Sequence, residues 1–143
     1  MTSATFIAPQ HPSEAAPLLR REFTLDKGHG DVVRAILTTS ALGIVESWVG
    51  GVPTSDELFA PGWTSYEWRI RRVEHDVTSA VSARTVIGLR LGNGWYRGWL
   101  GFTGQRAVYG DERAGWAQLI VDFADGHQQC VGTDDTWRAG TGE

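Results

Sequence analysis

The sequence predicts an all-β chain folded as an antiparallel β-sandwich. Short runs of alternating apolar and polar residues recur along its 143 residues, and turn-forming residues separate them. Eighteen glycines and seven tryptophans against a single lysine suit a turn-rich β protein better than a helical one. Helical periodicity is hard to find anywhere. At 15.7 kDa the chain fits one domain with a core that needs no metal or disulfide staple.

The elements follow in order. Residues 1–17, with three prolines, predict an extended lead-in, and residues 18–25 (LLRREFTL) an edge strand. Residues 32–39 (VVRAILTT) set Val33, Ala35 and Leu37 on one face and Arg34, Ile36 and Thr38 on the other. Residues 43–49 (GIVESWV) end at Gly50-Gly51, which tolerates the positive φ angles of a tight hairpin. A long loop punctuated by Pro53, Pro61 and Gly62 leads to a strand at 68–76 (WRIRRVEHD). A single helical turn over 76–81 would take Asp76 as its N-cap. Residues 85–91 alternate again, with Thr85, Ile87, Leu89 and Leu91 on one face. In 116–124 (WAQLIVDFA), Ala117, Leu119, Val121 and Phe123 share a face; Asp125-Gly126 predicts a two-residue turn, and 127–133 (HQQCVGT) returns.

Composition excludes several functions. A formal net charge of −4 and a pI near 5.5 argue against a nucleic-acid partner, whose footprint is a basic stripe. The cluster Arg69, Arg71, Arg72 is short and mixed with Glu67 and Glu74. No apolar run reaches membrane-spanning length and the N-terminus lacks a signal-peptide core, which predicts a cytoplasmic chain without a membrane partner. The lone Cys130 forms no internal disulfide or zinc cluster and reads as a small buried hydrophobe. His75 and His127 have no cysteine, serine or second histidine at ligand or triad spacing.

The segment 92–104 (GNGWYRGWLGFTG) is the most unusual. Gly92-x-Gly94 after an alternating run imitates the opening of a dinucleotide fingerprint, yet a phosphate loop needs a following helix. The glycines at 98, 101 and 104 oppose a stable helix. Tryptophan and tyrosine in a glycine-hinged loop instead present flat apolar faces edged by hydrogen-bonding groups, a match for a pyranose ring, although each ring serves packing equally well. The expectation is a structural, aromatic-rich crossing between sandwich strands.

Four ordered motifs, FAPGWTSYEWRI with EHDVT (59–78), GLRLGNGWYRGWLGF (88–102), YGDERAGWAQLIVDFADG (109–126) and TDDTWRA (133–139), resemble the N-terminal β-domain of bacterial α-L-rhamnosidases, glycoside hydrolase family 78. The resemblance implies a jelly-roll, galactose-binding-like sandwich over 18–143 that stops short of its last strands. It implies a parent that hydrolyses terminal α-L-rhamnosides with inversion, without a cofactor in the chemistry. The catalytic carboxylates would lie in a downstream (α/α)6-barrel of the same parent, this domain's expected partner. Inversion needs two carboxylates about 6.5–9.5 Å apart. Asp56-Glu57, Asp111-Glu112 and Asp134-Asp135 are adjacent residues in turn-like contexts, so no catalytic residue is expected here.

Some related sandwich modules bind L-rhamnose with calcium, through acidic residues in the loop before the PGWTSY motif. The resemblance carries that role onto Asp56 and Glu57, with Trp63, Trp95 and Tyr96 as sugar-facing rings, although Glu57 is longer than the family's residue. Gly50 stands where the family commonly has Asn. Three readings follow: an accessory domain that steadies the catalytic barrel, a calcium-assisted rhamnose-binding module, or an unrelated interaction sandwich marked by a large exposed apolar patch.

Overall fold

The computed structural model describes residues 3–141. Two antiparallel sheets pack face to face, as the alternation predicts. The first runs β11 (Arg138–Thr141), β1 (Pro17–Thr24), β6 (Arg84–Gly92), β3 (Ile44–Val49) and β4 (Val52–Pro53). The second runs β10 (Gln128–Gly132), β9 (Ala114–Phe123), β2 (Val32–Leu42) and β5 (Arg72–Asp76). A ribbon of β7 (Trp99–Leu100) and β8 (Gln105–Arg106) and the one-turn helix α1 (Gly94–Arg97) cap one end.

The core is the inward half of each alternation. Thr85, Ile87, Leu89 and Leu91 of β6 are buried, as are Ala117, Leu119, Val121 and Phe123 of β9. Ala35, Leu37 and Ala41 of β2, Leu19 and Phe23 of β1 and Val45 and Val49 of β3 complete it. Side chains on a strand alternate in direction, so one register choice sends every such residue inward together.

Several expectations are corrected. Val33 is 59% exposed, because the β2–β9 register shifts between Val32 and Arg34 and that bulge turns its side chain outward. The segment 18–25 is no edge strand: β1 lies between β11 and β6. The strand placed at 68–76 begins at Arg72, since residues 65–69 close a turn in which Trp68 and Arg69 both donate to the Ser65 carbonyl at 2.9 and 3.0 Å. The β9–β10 loop has three residues, not two. Phe123 N–H donates to His127 O at 2.9 Å and Gly126 N–H to Phe123 O at 3.0 Å, with Gly126 at φ +88°. Cys130 is only half-buried. The Gly50-Gly51 hairpin forms as expected, with φ +59° and +80°.

The 3₁₀ turn Thr78–Ala80 has Val77 at its cap position, and Asp76 Oδ1 accepts from the Thr78 amide at 3.0 Å and its hydroxyl at 2.6 Å.

The lead-in is tied down at both ends. Ile7 and Gly115 exchange two backbone bonds of 2.9 Å, and the fully buried Thr133 donates its hydroxyl to Thr5 O at 2.5 Å. Further along, the Arg113 guanidinium donates to Ser13 O at 2.5 Å and Ala15 O at 2.9 Å. Between these carbonyls sits Glu14, paired with Arg97 Nη2 and Arg106 Nη2 at 2.8 Å each. Hydrogen bonds first from Arg97 and then from Arg106 hold the Glu14 carboxyl at about 2, against 4.5 for a free glutamate.

Two predictions follow from this packing. Leu89→Ala should cost about 2–5 kcal/mol and lower the Tm measured by calorimetry, while Val33→Ala should stay within about 0.5 kcal/mol of wild type. Equal losses would contradict the bulge. The second concerns acid. A carboxyl depressed on folding stabilises fully above its unfolded value and loses that contribution as pH falls through its folded one. Proteolytic cutting near residues 8–16 should therefore rise as pH drops from about 4.5 to about 2. Glu14→Gln should show the same sensitivity already at neutral pH. A wild-type digestion pattern in that variant would refute the tie.

Candidate functional site

The predicted aromatic crossing exists, but it contains a turn of helix that the glycine content argued against. Arg97 N–H donates to Asn93 O and Gly98 N–H to Gly94 O, both at 3.1 Å. Glycine is required at both ends of the turn: Gly94 adopts φ +50°, and a Cβ on Gly98 would collide with the Gly94 carbonyl. Successive residues of a helix point about 100° apart. Trp95, Tyr96 and Arg97 therefore reach three different sets of partners.

Trp95 meets two rings of the 54–71 loop. It lies nearly parallel to Trp63, centroids 6.2 Å apart and planes 13° off, and edge-on to Phe59 at 5.9 Å. The loop is fixed to the sheet by Val45 N–H donating to Ala60 O at 2.7 Å. Phe59 sits at φ +62° before a cis Ala60–Pro61 bond. Trp63 and Phe59 remain 50% and 61% exposed.

Tyr96 belongs to the layer beneath. Buried Tyr66 takes the edges of Tyr96 at 5.1 Å and Tyr109 at 5.0 Å, and Tyr96 packs on the bare backbone of Gly110. Burial raises the Tyr66 and Tyr96 hydroxyls above the usual phenol range, with Tyr109 and Tyr96 adding to the first and Glu112 to the second. Tyr109 reaches upward to accept from Trp63 Nε1 at 3.4 Å. These rings form a two-layer crown, three tyrosines below and Phe59, Trp63 and Trp95 above.

Arg97 turns inward and is 7% exposed. Its Nε donates to Asp111 O at 2.8 Å and Asp111 Oδ1 at 3.1 Å, its Nη1 to Asn93 Oδ1 at 3.1 Å, and its Nη2 to Glu14. The Glu14 bond, foremost, raises the guanidinium further above its ordinary value.

Of the rings named from the sequence, Trp63 and Trp95 lie together in the upper layer, while Tyr96 packs beneath them against Tyr66. The Asp56 and Glu57 carboxylates are exposed, and burial lowers the His75 imidazole of β5 against an opposing pull from the Glu57 charge. Among the described residues no third acidic, histidine or cysteine side chain joins them in a metal-sized group. A calcium ion there would draw its remaining oxygens from backbone carbonyls and water. The other adjacent acidic pairs are engaged locally: Asp111 by Arg97, and Asp134 by Thr136 and by Arg21 at 3.3 Å.

Sequence reasoning missed Phe59, Tyr66, Tyr109, Arg97 and Glu14. It also set aside His127, whose ring stacks on His29 at 3.7 Å while Asp26 and Asp125 bond one imidazole each at 2.7 Å. A lone arginine inside a glycine-aromatic segment was the one available signal for Arg97.

Comparisons with known proteins agree with this architecture. The family model described as the α-L-rhamnosidase N-terminal domain matches residues 30–143. An α-L-rhamnosidase of Streptomyces avermitilis is 37% identical over 131 residues, 91% of this chain and 12% of that protein. One from Formosa agariphila is 33% identical over 126 residues, 86% of this chain and 13% of that protein. The crystal structure of an Aspergillus terreus rhamnosidase superposes with a TM-score of 0.91 at 33% identity, covering 97% of this chain and 17% of that one. A Pleurotus ostreatus lectin, TM-score 0.54 at 14% identity over 90% of this chain and 30% of its own, shares the fold alone. The chain thus spans about an eighth of the curated relatives it matches, and it belongs to the α-L-rhamnosidase N-terminal domain family.

Proposed function

We propose that this chain is the non-catalytic β-sandwich module of an α-L-rhamnosidase. It steadies the region of the parent that hydrolyses terminal α-L-rhamnosides, an (α/α)6-barrel following in the same polypeptide, and borders the substrate entrance. The observation that carries this reading is the aromatic crown, which is held rigid and yet left uncovered. Tyr66 and Arg97 fix its base, while Phe59 and Trp63 of its upper layer expose half or more of their surface, as do Trp68, Trp99 and Phe102 outside the crown. Exposed apolar groups in such number suit a face that another part of a larger protein covers. The chemistry of the acidic residues supports the same reading, since Asp111 and Asp134 spend their carboxylates on structural bonds.

A second reading, a rhamnose-binding module, rests on the nearly parallel Trp63 and Trp95 rings. A sugar with an apolar C–H face stacks on such rings, and Asp56 and Glu57 would then serve its hydroxyls or a calcium ion.

Two measurements test these readings. The chain alone should release no rhamnose from an aryl α-L-rhamnoside; turnover would overturn the non-catalytic assignment. Titration with L-rhamnose to tens of millimolar, with and without calcium chloride, should leave the Trp63 and Trp95 indole resonances unmoved. Saturable calcium-dependent shifts near ~1 mM, equivalent to about −4 kcal/mol, would favour the sugar module instead.

A further inference from the structure

The outer face of the five-stranded sheet carries a feature that the crown does not use. Strand register places Arg138 of β11, Arg20 of β1, Gly88 of β6, Trp48 of β3 and Pro53 of β4 opposite one another in a single cross-strand row. All five point away from the core, because the alternate positions Leu19, Ile87, Leu89 and Val49 are the buried ones. The row therefore runs guanidinium, guanidinium, bare backbone, indole, pyrrolidine.

Gly88 is the informative member. A glycine inside a central strand weakens a sheet and often marks close approach by something else. Here nothing from the chain approaches: no atom lies within 4 Å of the place a Cβ would occupy. The result is a shallow depression floored by Gly88, walled by Trp48 and Pro53 on one side and by Arg20 and Arg138 on the other. Strands stand about 4.8 Å apart, so the two walls are separated by about 10 Å. That spacing admits one flat ring between indole and guanidinium.

Charge narrows the occupant. On this face Arg84 pairs with Glu22 at 2.5 Å and Arg90 with Glu46 at 3.6 Å, and Arg90 also caps the Trp48 ring 5.3 Å from its centroid. Among the described residues no ion pair joins Arg20 or Arg138. Two guanidiniums outside any ion pair thus stand side by side on a chain whose formal charge is −4, and both add to the lowering of the Glu22 carboxyl that its hydrogen bond from Arg84 leads. An indole with a proline ring takes the apolar face of a pyranose, and paired guanidiniums take a carboxylate.

We infer that the Trp48–Gly88–Arg20 row is a binding site for an acidic saccharide. The uronic-acid ring lies over Gly88 against the indole, and its carboxylate points to Arg20 and Arg138. This site is separate from the crown and does not depend on the role proposed for it. An acidic peptide shares the charge but lacks the rigid ring that the depression accommodates.

Trigalacturonate, its methyl ester and a polyglutamate peptide, titrated into the isotope-labelled chain, test the inference. Trigalacturonate should shift the Trp48 indole and Gly88 amide resonances saturably, and the effect should weaken with added salt. The neutral ester should bind at least tenfold more weakly. Gly88→Val fills the depression without a clash and without a left-handed φ, so it should keep the remaining spectrum and lose at least tenfold in affinity. Arg20→Gln with Arg138→Gln should do the same, while Val33→Ala on the other sheet should not. Absent shifts, equal binding of the ester or of polyglutamate, or undiminished binding by Gly88→Val would each overturn it.

Discussion

The Arg97 guanidinium is the point at which three segments of the chain meet, the lead-in, α1 and the stretch before β9. It leaves α1 inward, donates to the backbone and carboxylate of Asp111, and closes on Glu14 of the lead-in. A guanidinium at 7% exposure is tolerable only because its donors are matched by oxygen acceptors. The crown above it depends on this arrangement. Trp95 and Tyr96 are its chain neighbours, so the direction Arg97 takes fixes the directions left to them. Asp111 follows Tyr109 and Gly110, the residues against which Tyr66 and Tyr96 pack.

How far the sequence discloses this differs between layers. The core was legible because burial on a strand has a period of two, and the four inward residues of β6 and of β9 follow that pattern strictly. Val33 escaped because a bulge interrupts the period without any glycine or proline to announce it. The place of β1 inside its sheet depends on β11, whose Arg138 lies 118 positions from its register partner Arg20, and no local pattern reports such a pairing. The turn of α1 was missed because glycine propensity costs about 1 kcal/mol per residue, less than the Arg97 and Tyr96 contacts contribute together.

The crown shows the same division. Trp63, Trp95 and Tyr96 could be grouped from composition and family resemblance, since aromatic residues near glycines are conspicuous. Tyr66 and Tyr109, 43 positions apart, become a layer only after the 54–71 loop folds back over α1. Asp56 and Glu57 were named from the family resemblance alone. Both are exposed, and among the described residues no metal-sized group of acidic, histidine or cysteine side chains includes them. The relatives that share this N-terminal domain are much longer proteins, of which the matched stretch is about an eighth.

Residue-resolved amide exchange on wild type and Arg97→Met tests the central claim most directly. Loss of the guanidinium should release protection in residues 12–16 and 93–111 together while β6 and β9 exchange at their original rates. Unchanged protection in those two segments, or an equal loss across the whole sandwich, would show that the crown is held by something other than Arg97.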